Sequence, residues 1–271
     1  MNRESAEKAF AEAQQSLIDH MEAYFGNTIQ FIHSEGPLLI DGLGIPDVPT
    51  GLAGRKVLVV SPGVHHRAQI KNLRNFIREY QPSIIGVEQA ADTLLEMGYT
   101  PDIIVGNPTA MEADSLRCGA QVVLPADPDG HAPGLERIQD LGVGAMTFPA
   151  AIDNATDLAL LLADYHGASF IVNAGSTLDL GDIFQQAEYA SPAALLTRTK
   201  VGSKLVDANA VIGLYQTGRG VAAGWLWAAL GVLVALAALV LIVGIAGSGN
   251  FAENIASTWD NIFATVQGWF S

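Results

Sequence analysis

The sequence contains almost no cysteine and little positive charge. Its 271 residues include 14 Lys and Arg against 28 Asp and Glu, which gives a formal net charge of −14. A nucleic-acid partner needs a basic surface that releases counterions from phosphates, so no nucleic acid is expected among the partners. The single cysteine, Cys118, cannot form an internal disulfide and supplies no metal cluster. It favours a reducing compartment, and no metal site is predicted.

Charged residues of either sign are scarce, which argues against intrinsic disorder. Hydrophobic residues make up 49% of the chain and charged residues 15%, enough apolar material for a sizeable core. Residues 221–246 contain no charge and no proline. As a helix this run would extend for roughly 39 Å, more than the hydrocarbon core of a bilayer. It predicts one C-terminal transmembrane helix, with a buried helix of the soluble core as the alternative.

The positive residues stop before this run, since none follows Arg219. That distribution predicts a single-pass protein of the cell membrane, with a cytoplasmic N-terminal part and the C-terminus outside. Residues 247–271 carry apolar side chains at spacings of three and four, which predicts an extracytoplasmic amphipathic tail lying on the lipid bilayer; docking on a protein is the alternative. Small residues recur within the apolar run and predict a face for a partner helix or for homo-oligomers: Gly224, Ala228, Gly231 and Ala235.

Residues 1–35 are predicted to form an amphipathic helix. Phe10, Leu17, Tyr24 and Phe31 recur every seven residues, the spacing of one apolar stripe. Such a stripe favours packing on the protein's own domain, and a short coiled-coil contact with another chain is the alternative. Gly36-Pro37 predicts the end of the helix, followed by a linker over residues 36–55.

Residues 56–218 alternate short β-branched runs with helical patterns. The predicted strands cover residues 57–60, 84–87, 103–105, 122–124, 145–148 and 170–172, and the helices between them cover residues 69–80, 90–97, 111–118, 135–141 and 153–166. This alternation predicts an α/β domain with a mostly parallel sheet and helices on both faces. Ligands of such sheets bind at the carboxyl ends of the strands.

The loops at those ends contain few chemically distinctive residues. Ser61-Pro62-Gly63 follows the first strand and could present backbone N–H groups to a phosphate, although a plain strand-to-helix turn is the simpler interpretation. The adjacent pair His65-His66 lacks a carboxylate companion for a metal. Asp153 is interpreted as a helix N-cap and Asp157 as a carboxylate in the first turn of the same helix. No catalytic residue is assigned.

Several stretches together resemble a known family, the SteA-like cytokinetic-ring proteins of actinobacteria. The matching stretches are residues 38–48, 77–82, 101–106, 117–120, 132–137, 160–164 and 201–208. The core of that family resembles the catalytic domain of thiamin pyrophosphokinase, and this is the fold that the resemblance implies for the α/β domain. The resemblance covers roughly residues 35 to 220. Longer members carry a further N-terminal domain, so the chain is interpreted as a shortened relative.

The sequence departs from the pyrophosphokinase pattern where a nucleotide would bind. The third strand of that pattern ends in Gly-Asp-x-Asp-Ser, whose acids would hold Mg²⁺, and here the corresponding residues are Gly106-Asn107-Pro108-Thr109-Ala110. The second strand would end in Asp-Gly-Gly and here ends in Glu88-Gln89-Ala90, while Asp157 remains from a third acidic motif. The predicted ligand-binding residues are therefore Ser61, Gly63, Glu88, Asn107, Thr109 and Asp157.

Loss of two carboxylates weakens the expected Mg²⁺ site, because pyrophosphoryl transfer depends on charge neutralisation by the metal. The resemblance therefore predicts a membrane-anchored, catalytically inactive scaffold in bacterial cell division or cell separation, with a SteB-like membrane protein or a second copy as partner. Two alternatives bind ATP and Mg²⁺: a thiamin pyrophosphokinase-like enzyme with rebuilt metal ligands, and a nucleotide sensor without turnover.

Overall fold

The computed structural model describes residues 3–185, 187, 189–217, 219–246 and 250–269. The chain divides into two compact units, Met1–Leu214 and Tyr215–Ser271. The first unit contains the sheet, and the second contains two long helices.

A seven-stranded sheet forms the centre of the first unit. The strands are β1 (Lys56–Val60), β2 (Ser83–Val87), β3 (Ile103–Val105), β4 (Gln121–Ala126), β5 (Ala145–Pro149), β6 (Phe170–Ala174) and β7 (Leu205–Asp207). Their order is β5-β4-β3-β2-β1-β6-β7, and each neighbouring pair is parallel. The predicted α/β architecture with a parallel sheet is confirmed.

Helices precede, connect and follow the strands. They are α1 (Arg3–Asp41), α2 (His66–Asn72), α3 (Arg74–Tyr80), α4 (Gln89–Glu96), α5 (Ala113–Leu116), α6 (Leu135–Leu141), α7 (Ala155–Tyr165), α8 (Leu180–Phe184), α9 (Pro192–Val201) and α10 (Ala208–Thr217). A 3-10 turn, Pro108–Ala110, follows β3. The predicted helix over residues 69–80 is two short helices, α2 and α3, that meet at Leu73.

Successive residues of the strands face opposite sides of the sheet and are covered by different helices. Ile103 and Val105 of β3 lie in a core cluster that contains the apolar residues of α7, whereas Ile104 packs with Leu116 of α5 and Ile138 of α6. Both clusters consist of fully or almost fully buried side chains. Such two-sided burial explains the continuous apolar runs of these strands, because a parallel sheet is covered on both faces.

The first helix, α1, continues past Gly36-Pro37, where the sequence predicted a linker, and ends at Asp41. Pro37 lies inside its last turns, and the next residue, Leu38, is buried in the core cluster that covers α7. Burial of this leucine stabilises the extra turns, which explains why Gly36-Pro37 does not end the helix. Gly42, with φ +69°, ends it instead.

The second unit consists of α11 (Arg219–Ala246) and α12 (Phe251–Trp269), which pack against each other. Within the part of the chain that is described, no helix combines the length and the apolar character that crossing a membrane requires. The predictions of a transmembrane helix at residues 221–246 and of a single-pass location in the cell membrane are therefore wrong. That prediction rested on the apolar composition of residues 221–246 alone.

Candidate functional site

A crevice opens at the carboxyl ends of β1 and β6. After β1 the chain continues to β2, whereas after β6 it continues to β7, in the opposite direction along the strand order. The two connections therefore diverge and leave a space between them. This is the topological switch point, where ligands of open α/β sheets bind. The crevice has a volume of about 690 Å³ and is lined by Pro62, Gly63, Val64, His65, Gln69, Glu88, Asp153, Asn154, Thr156, Gly175, Ser176, Thr177, Tyr189 and Asn209.

Two glycines allow the β1 and β6 loops to touch at the floor of the crevice. Gly175 has a φ of +102°, and a Cβ atom at this position would lie 1.9 Å from the carbonyl oxygen of Ser61. A Cβ atom at Gly63 would lie 2.8 Å from the carbonyl carbon of Gly175. Both positions therefore require glycine, Gly175 for its backbone conformation and both for the close approach.

Amide side chains hold these loops in place. Asn173 accepts a hydrogen bond from the Ser61 hydroxyl at 3.4 Å, and its amide nitrogen donates to the carbonyl oxygen of Ser176. Gln69 accepts from the backbone N–H of Gly175 at 2.7 Å and donates to the Asn209 side chain at 3.3 Å. The network fixes Ser61 beneath the crevice, where it is fully buried, so its hydroxyl supports the floor.

Glu88 is an acidic residue that directly follows β2 and lines the crevice. Its backbone has φ 46° and ψ −132°, a combination that side-chain-bearing residues rarely adopt and that costs on the order of 1–3 kcal/mol. Gly106 permits this geometry, because a Cβ atom there would lie 2.4 Å from the Cγ atom of Glu88. The half-buried carboxylate of Glu88 lines the crevice.

Asp157 lies behind the crevice and faces Arg198. Its side chain is fully buried, and its Oδ1 atom is 3.5 Å from the Nε atom of Arg198, whose side chain is 12% exposed. Burial raises the pKa of the Asp157 carboxyl to about 6, while the positive charge of Arg198 lowers it. The loss of hydration thus outweighs the attraction of the guanidinium.

The predicted ligand residues Asn107 and Thr109 do not line the crevice. The Asn107 side chain accepts hydrogen bonds from the backbone N–H of Thr109 at 3.0 Å and from its hydroxyl at 2.8 Å. The same oxygen lies 2.8 Å from the position of a Cβ atom on Gly134. Asn107 therefore caps its own loop and packs against the loop before α6.

The structure thus brings Gly63 and Glu88 together, places Ser61 and Asp157 behind the crevice wall, and separates Asn107 and Thr109 from it. Across the described residues, no three His, Cys, Asp or Glu side chains cluster closely enough to hold a metal ion. His66 contacts the Gly63 carbonyl and the Thr93 hydroxyl, so it braces the β1 loop.

Sequence reasoning missed the crevice residues on the β6 side. Ser176 and Thr177 follow β6 directly, and Asn209 follows β7, a three-residue strand that was not predicted. A signal existed for the first two, because a glycine and two hydroxyl residues directly after a buried strand are suited to ligand binding.

Comparison with known families finds a match at the C-terminal end of the chain. Residues 210–263 match the family model described as SteA-like C-terminal domain. This segment is similar to that domain. The match supports the predicted SteA-like relationship and leaves the thiamin pyrophosphokinase-like core without confirmation. No curated protein matches the chain.

The small residues predicted to form a helix–helix face lie within the matched segment, on α11. Ala228, Gly231 and Ala235 are exposed, and a Cβ atom built on Gly231 meets no atom within 4 Å. Gly224 also lies in α11, outside the residues whose surroundings are described.

Proposed function

We propose that the protein acts in bacterial cell division or cell separation as a scaffold that works through protein contacts and does not transfer pyrophosphate. The observation that carries this proposal is the match of residues 210–263 to the SteA-like C-terminal domain. The resemblance of the α/β domain to the same family extends the proposal to the first unit.

The replaced acidic motif supports the absence of catalysis. Asn107 and Thr109 are neutral, and the Asn107 side-chain oxygen accepts hydrogen bonds from the backbone N–H and the hydroxyl of Thr109. Mg²⁺ bound to a triphosphate normally takes one or two carboxylates as well, and the loop after β3 supplies none at these positions. Glu88 remains in the crevice as a single carboxylate at a strand end.

Complementation in the source bacterium tests the scaffold role. A strain that lacks the protein would receive the natural chain, a Glu88→Gln variant or a Gly231→Leu, Ala235→Leu variant, and cell separation would be scored by microscopy. The scaffold role predicts that Glu88→Gln restores separation and that the double leucine variant does not. Failure of Glu88→Gln, with normal protein levels, would instead indicate that the crevice chemistry is essential.

A second candidate function, a nucleotide sensor without turnover, is favoured by the crevice itself. A cavity at the switch point with two tightly held loops is the usual ligand position in this fold class. Calorimetric titration with ATP and Mg²⁺ followed by product analysis separates the candidates. A scaffold without a nucleotide site gives no binding heat, a sensor gives heat without product, and an enzyme gives AMP with a pyrophosphorylated product.

Self-association or contact with a SteB-like membrane protein is proposed to use the small-residue face of α11. Ala228, Gly231 and Ala235 are spaced three and four apart and exposed, and small side chains permit close approach of a second helix.

A further inference from the structure

Basic residues are concentrated in one part of a strongly acidic chain. Residues 48–87 contain six Lys and Arg and a single acid, Glu79, a net charge of +5, whereas the whole chain carries −14. Four of the six lie on α2 and α3, which connect β1 to β2: Arg67, Lys71, Arg74 and Arg78. They are spaced four, three and four residues apart, and residues at these spacings are neighbours on one face of a helix. We call these four residues the basic face.

The basic face is exposed, and the helices that carry it are fixed from behind. All four of its side chains are exposed, whereas Ile70, Leu73 and Phe76 on the other side of the helices are buried. The backbone N–H of Leu73 donates to the Gln69 carbonyl at 2.8 Å, and that of Ile77 donates to the Leu73 carbonyl at 2.9 Å. Helical winding therefore continues through the junction of α2 and α3, and the basic face extends for roughly 16 Å.

The charges of the basic face do not stabilise the helices that carry them. Like charges three and four residues apart on a helix repel each other. At one end of the row, Arg67 contacts the carboxylate of Glu96. Lys71 and Arg74, in the middle, make no hydrogen bond or ion pair within the part of the chain that the structure describes. The two central cations are therefore open to carboxylates of a partner.

Two further basic residues enlarge the positive field at the end of α3. Lys56 Nζ lies 4.2 Å from the centre of the Tyr80 ring, and Arg55 Nη2 donates to the Gln81 carbonyl oxygen at 3.2 Å. Neither an aromatic ring nor a carbonyl carries a negative charge that would neutralise these cations. The field therefore continues beyond Arg78.

The spacing of the basic face favours an acidic helix as its partner. Successive charged residues are about 6.0, 4.5 and 6.0 Å apart along the helix axis, and carboxylates spaced four, three and four residues apart on a second helix reproduce these steps. Same-side residues of an extended segment are about 6.6 Å apart and lose this register. Of the exposed large hydrophobic residues in the described chain, none lies between residues 65 and 79, so the face lacks the apolar side chains that an interfacial helix inserts into lipid.

We propose that the basic face docks an acidic helix of a partner protein. Arginine pairs with carboxylates through two parallel N–H donors, and carboxylates of the partner remove the repulsion along the row. The inference deepens the scaffold role and rests on it, because it names the surface and the partner chemistry through which the α/β unit makes a protein contact.

The test is a fluorescence anisotropy titration of labelled helical peptides, about 20 residues long and built from alanine and glutamine, with the full chain. One peptide carries four glutamates spaced four, three and four residues apart, and the control peptide has the same composition with the glutamates spread around the helix. The first peptide should bind about fivefold more tightly than the control, and added salt should weaken its binding. Equal affinities for the two peptides would overturn the proposal.

Lys71→Glu with Arg74→Glu should weaken binding of the first peptide by about tenfold or more, because attraction to its carboxylates becomes repulsion. Arg117→Glu with Lys200→Glu is the matched control, since it changes the net charge equally at exposed residues of other elements, the end of α5 and α9. Its affinity should equal that of the natural chain, and an equal loss in both variants would overturn the basic face. Lys71→Gln with Arg74→Gln, which reverses no charge, should weaken binding by a smaller factor and provides the comparison if the first variant does not fold.

Vesicles of phosphatidylglycerol and phosphatidylcholine, and a short DNA duplex, distinguish the classes of partner. Tighter binding of either than of the first peptide, lost in the Lys71→Glu, Arg74→Glu variant, would assign the basic face to lipid or nucleic acid and overturn the acidic helix. Absence of peptide binding also overturns it. The scaffold role is tested separately by complementation with the α11 variant, so the two failures are distinguishable.

Discussion

At the scale of single residues, Asp157 is the group whose ionisation the fold opposes most clearly. Burial raises the pKa of its carboxyl to about 6 from 3.8. A folded-state pKa above the unfolded one means that the neutral acid stabilises the fold. This contribution is complete below about pH 3.8 and is lost as the pH rises through about 6.

Replacement of Asp157 by Asn should remove this pH dependence. From pH 5 to pH 7.5 the natural chain loses about 1.5 kcal/mol of unfolding free energy through this carboxyl, and the variant does not. Urea unfolding at both pH values measures the difference between the two proteins, which cancels the titration of all other groups. If the two proteins differ in free energy of unfolding by the same amount at pH 5 and at pH 7.5, the raised pKa of the Asp157 carboxyl is contradicted.

Gly175 is the residue on which contact between the two crevice loops depends. Gly175→Ala should lower the free energy of unfolding by about 2 kcal/mol or more, because the new methyl group overlaps the Ser61 carbonyl and the residue has a positive φ. Gly119→Ala is the control, since Gly119 has a φ of +95° with no atom within 4 Å of a built Cβ. It should show the backbone strain alone, and a loss as large as that of Gly175→Ala would contradict the steric argument.

Residue types in the sequence predicted part of the site. A carboxylate at a strand end identified Glu88, and a glycine after β1 identified Gly63, because both properties depend on local sequence. Asn107 was predicted as a ligand residue from its alignment with an acidic motif. Its side chain is instead occupied by Thr109 and packs near Gly134, contacts that depend on loop conformation and could not be inferred from the sequence.

At the scale of elements, Tyr24 and Phe31 pack α1 against the rest of the first unit. Tyr24 is buried against Ile183 and Ala190, and its hydroxyl donates to the Ser191 carbonyl at 3.0 Å. The stripe predicted from Phe10 to Phe31 is therefore divided: Tyr24 and Phe31 pack on the domain, whereas Phe10 and Leu17 are exposed.

Tyr24→Ala should weaken the docking of α1. The expected loss is about 3 kcal/mol, from the buried ring and its hydrogen bond, and hydrogen exchange should accelerate in α1 around residue 24. Ile29→Ala is the control, because Ile29 of the same helix is 59% exposed and its truncation should change stability little. Equal effects of the two substitutions would contradict the packing described for α1.

The small-residue face of α11 makes a prediction about assembly. Gly231→Leu with Ala235→Leu should reduce chemical crosslinking between copies, because the larger side chains keep a second helix at a distance. Leu233→Ala is a useful control, since Leu233 is also exposed on α11 and lies outside the small-residue row. Unchanged crosslinking of the double variant would exclude this face as the contact.

Elements with a clear apolar pattern were predicted well, and those that depend on context were not. The fully buried apolar run at residues 103–105 has the same bounds as β3, and residues 135–141 have the same bounds as α6. The prediction missed β7, because its three residues are only half-buried, end in a charged side chain and are specified by pairing with β6. The helix end at Pro37 was inferred from local sequence, whereas burial of Leu38 determines where α1 continues. The membrane span was inferred from apolar composition alone.

At the scale of the whole molecule, the chain contains an α/β unit with a crevice at the switch point of its sheet and a C-terminal segment that matches the SteA-like C-terminal domain. The crevice retains Glu88 and lacks the two carboxylates expected after β3. We infer that the α/β unit contributes recognition and contacts in place of pyrophosphoryl transfer.

Product analysis after incubation of the purified full chain with ATP, Mg²⁺ and thiamin tests this central claim most directly. The account predicts no thiamin diphosphate and no AMP from the natural sequence. An Asn107→Asp, Thr109→Asp variant measures whether restored carboxylates recover any activity, and Glu88→Ala measures dependence on the remaining acid. Thiamin diphosphate formed by the natural chain and abolished by Glu88→Ala would show a rebuilt catalytic site and would contradict the scaffold role.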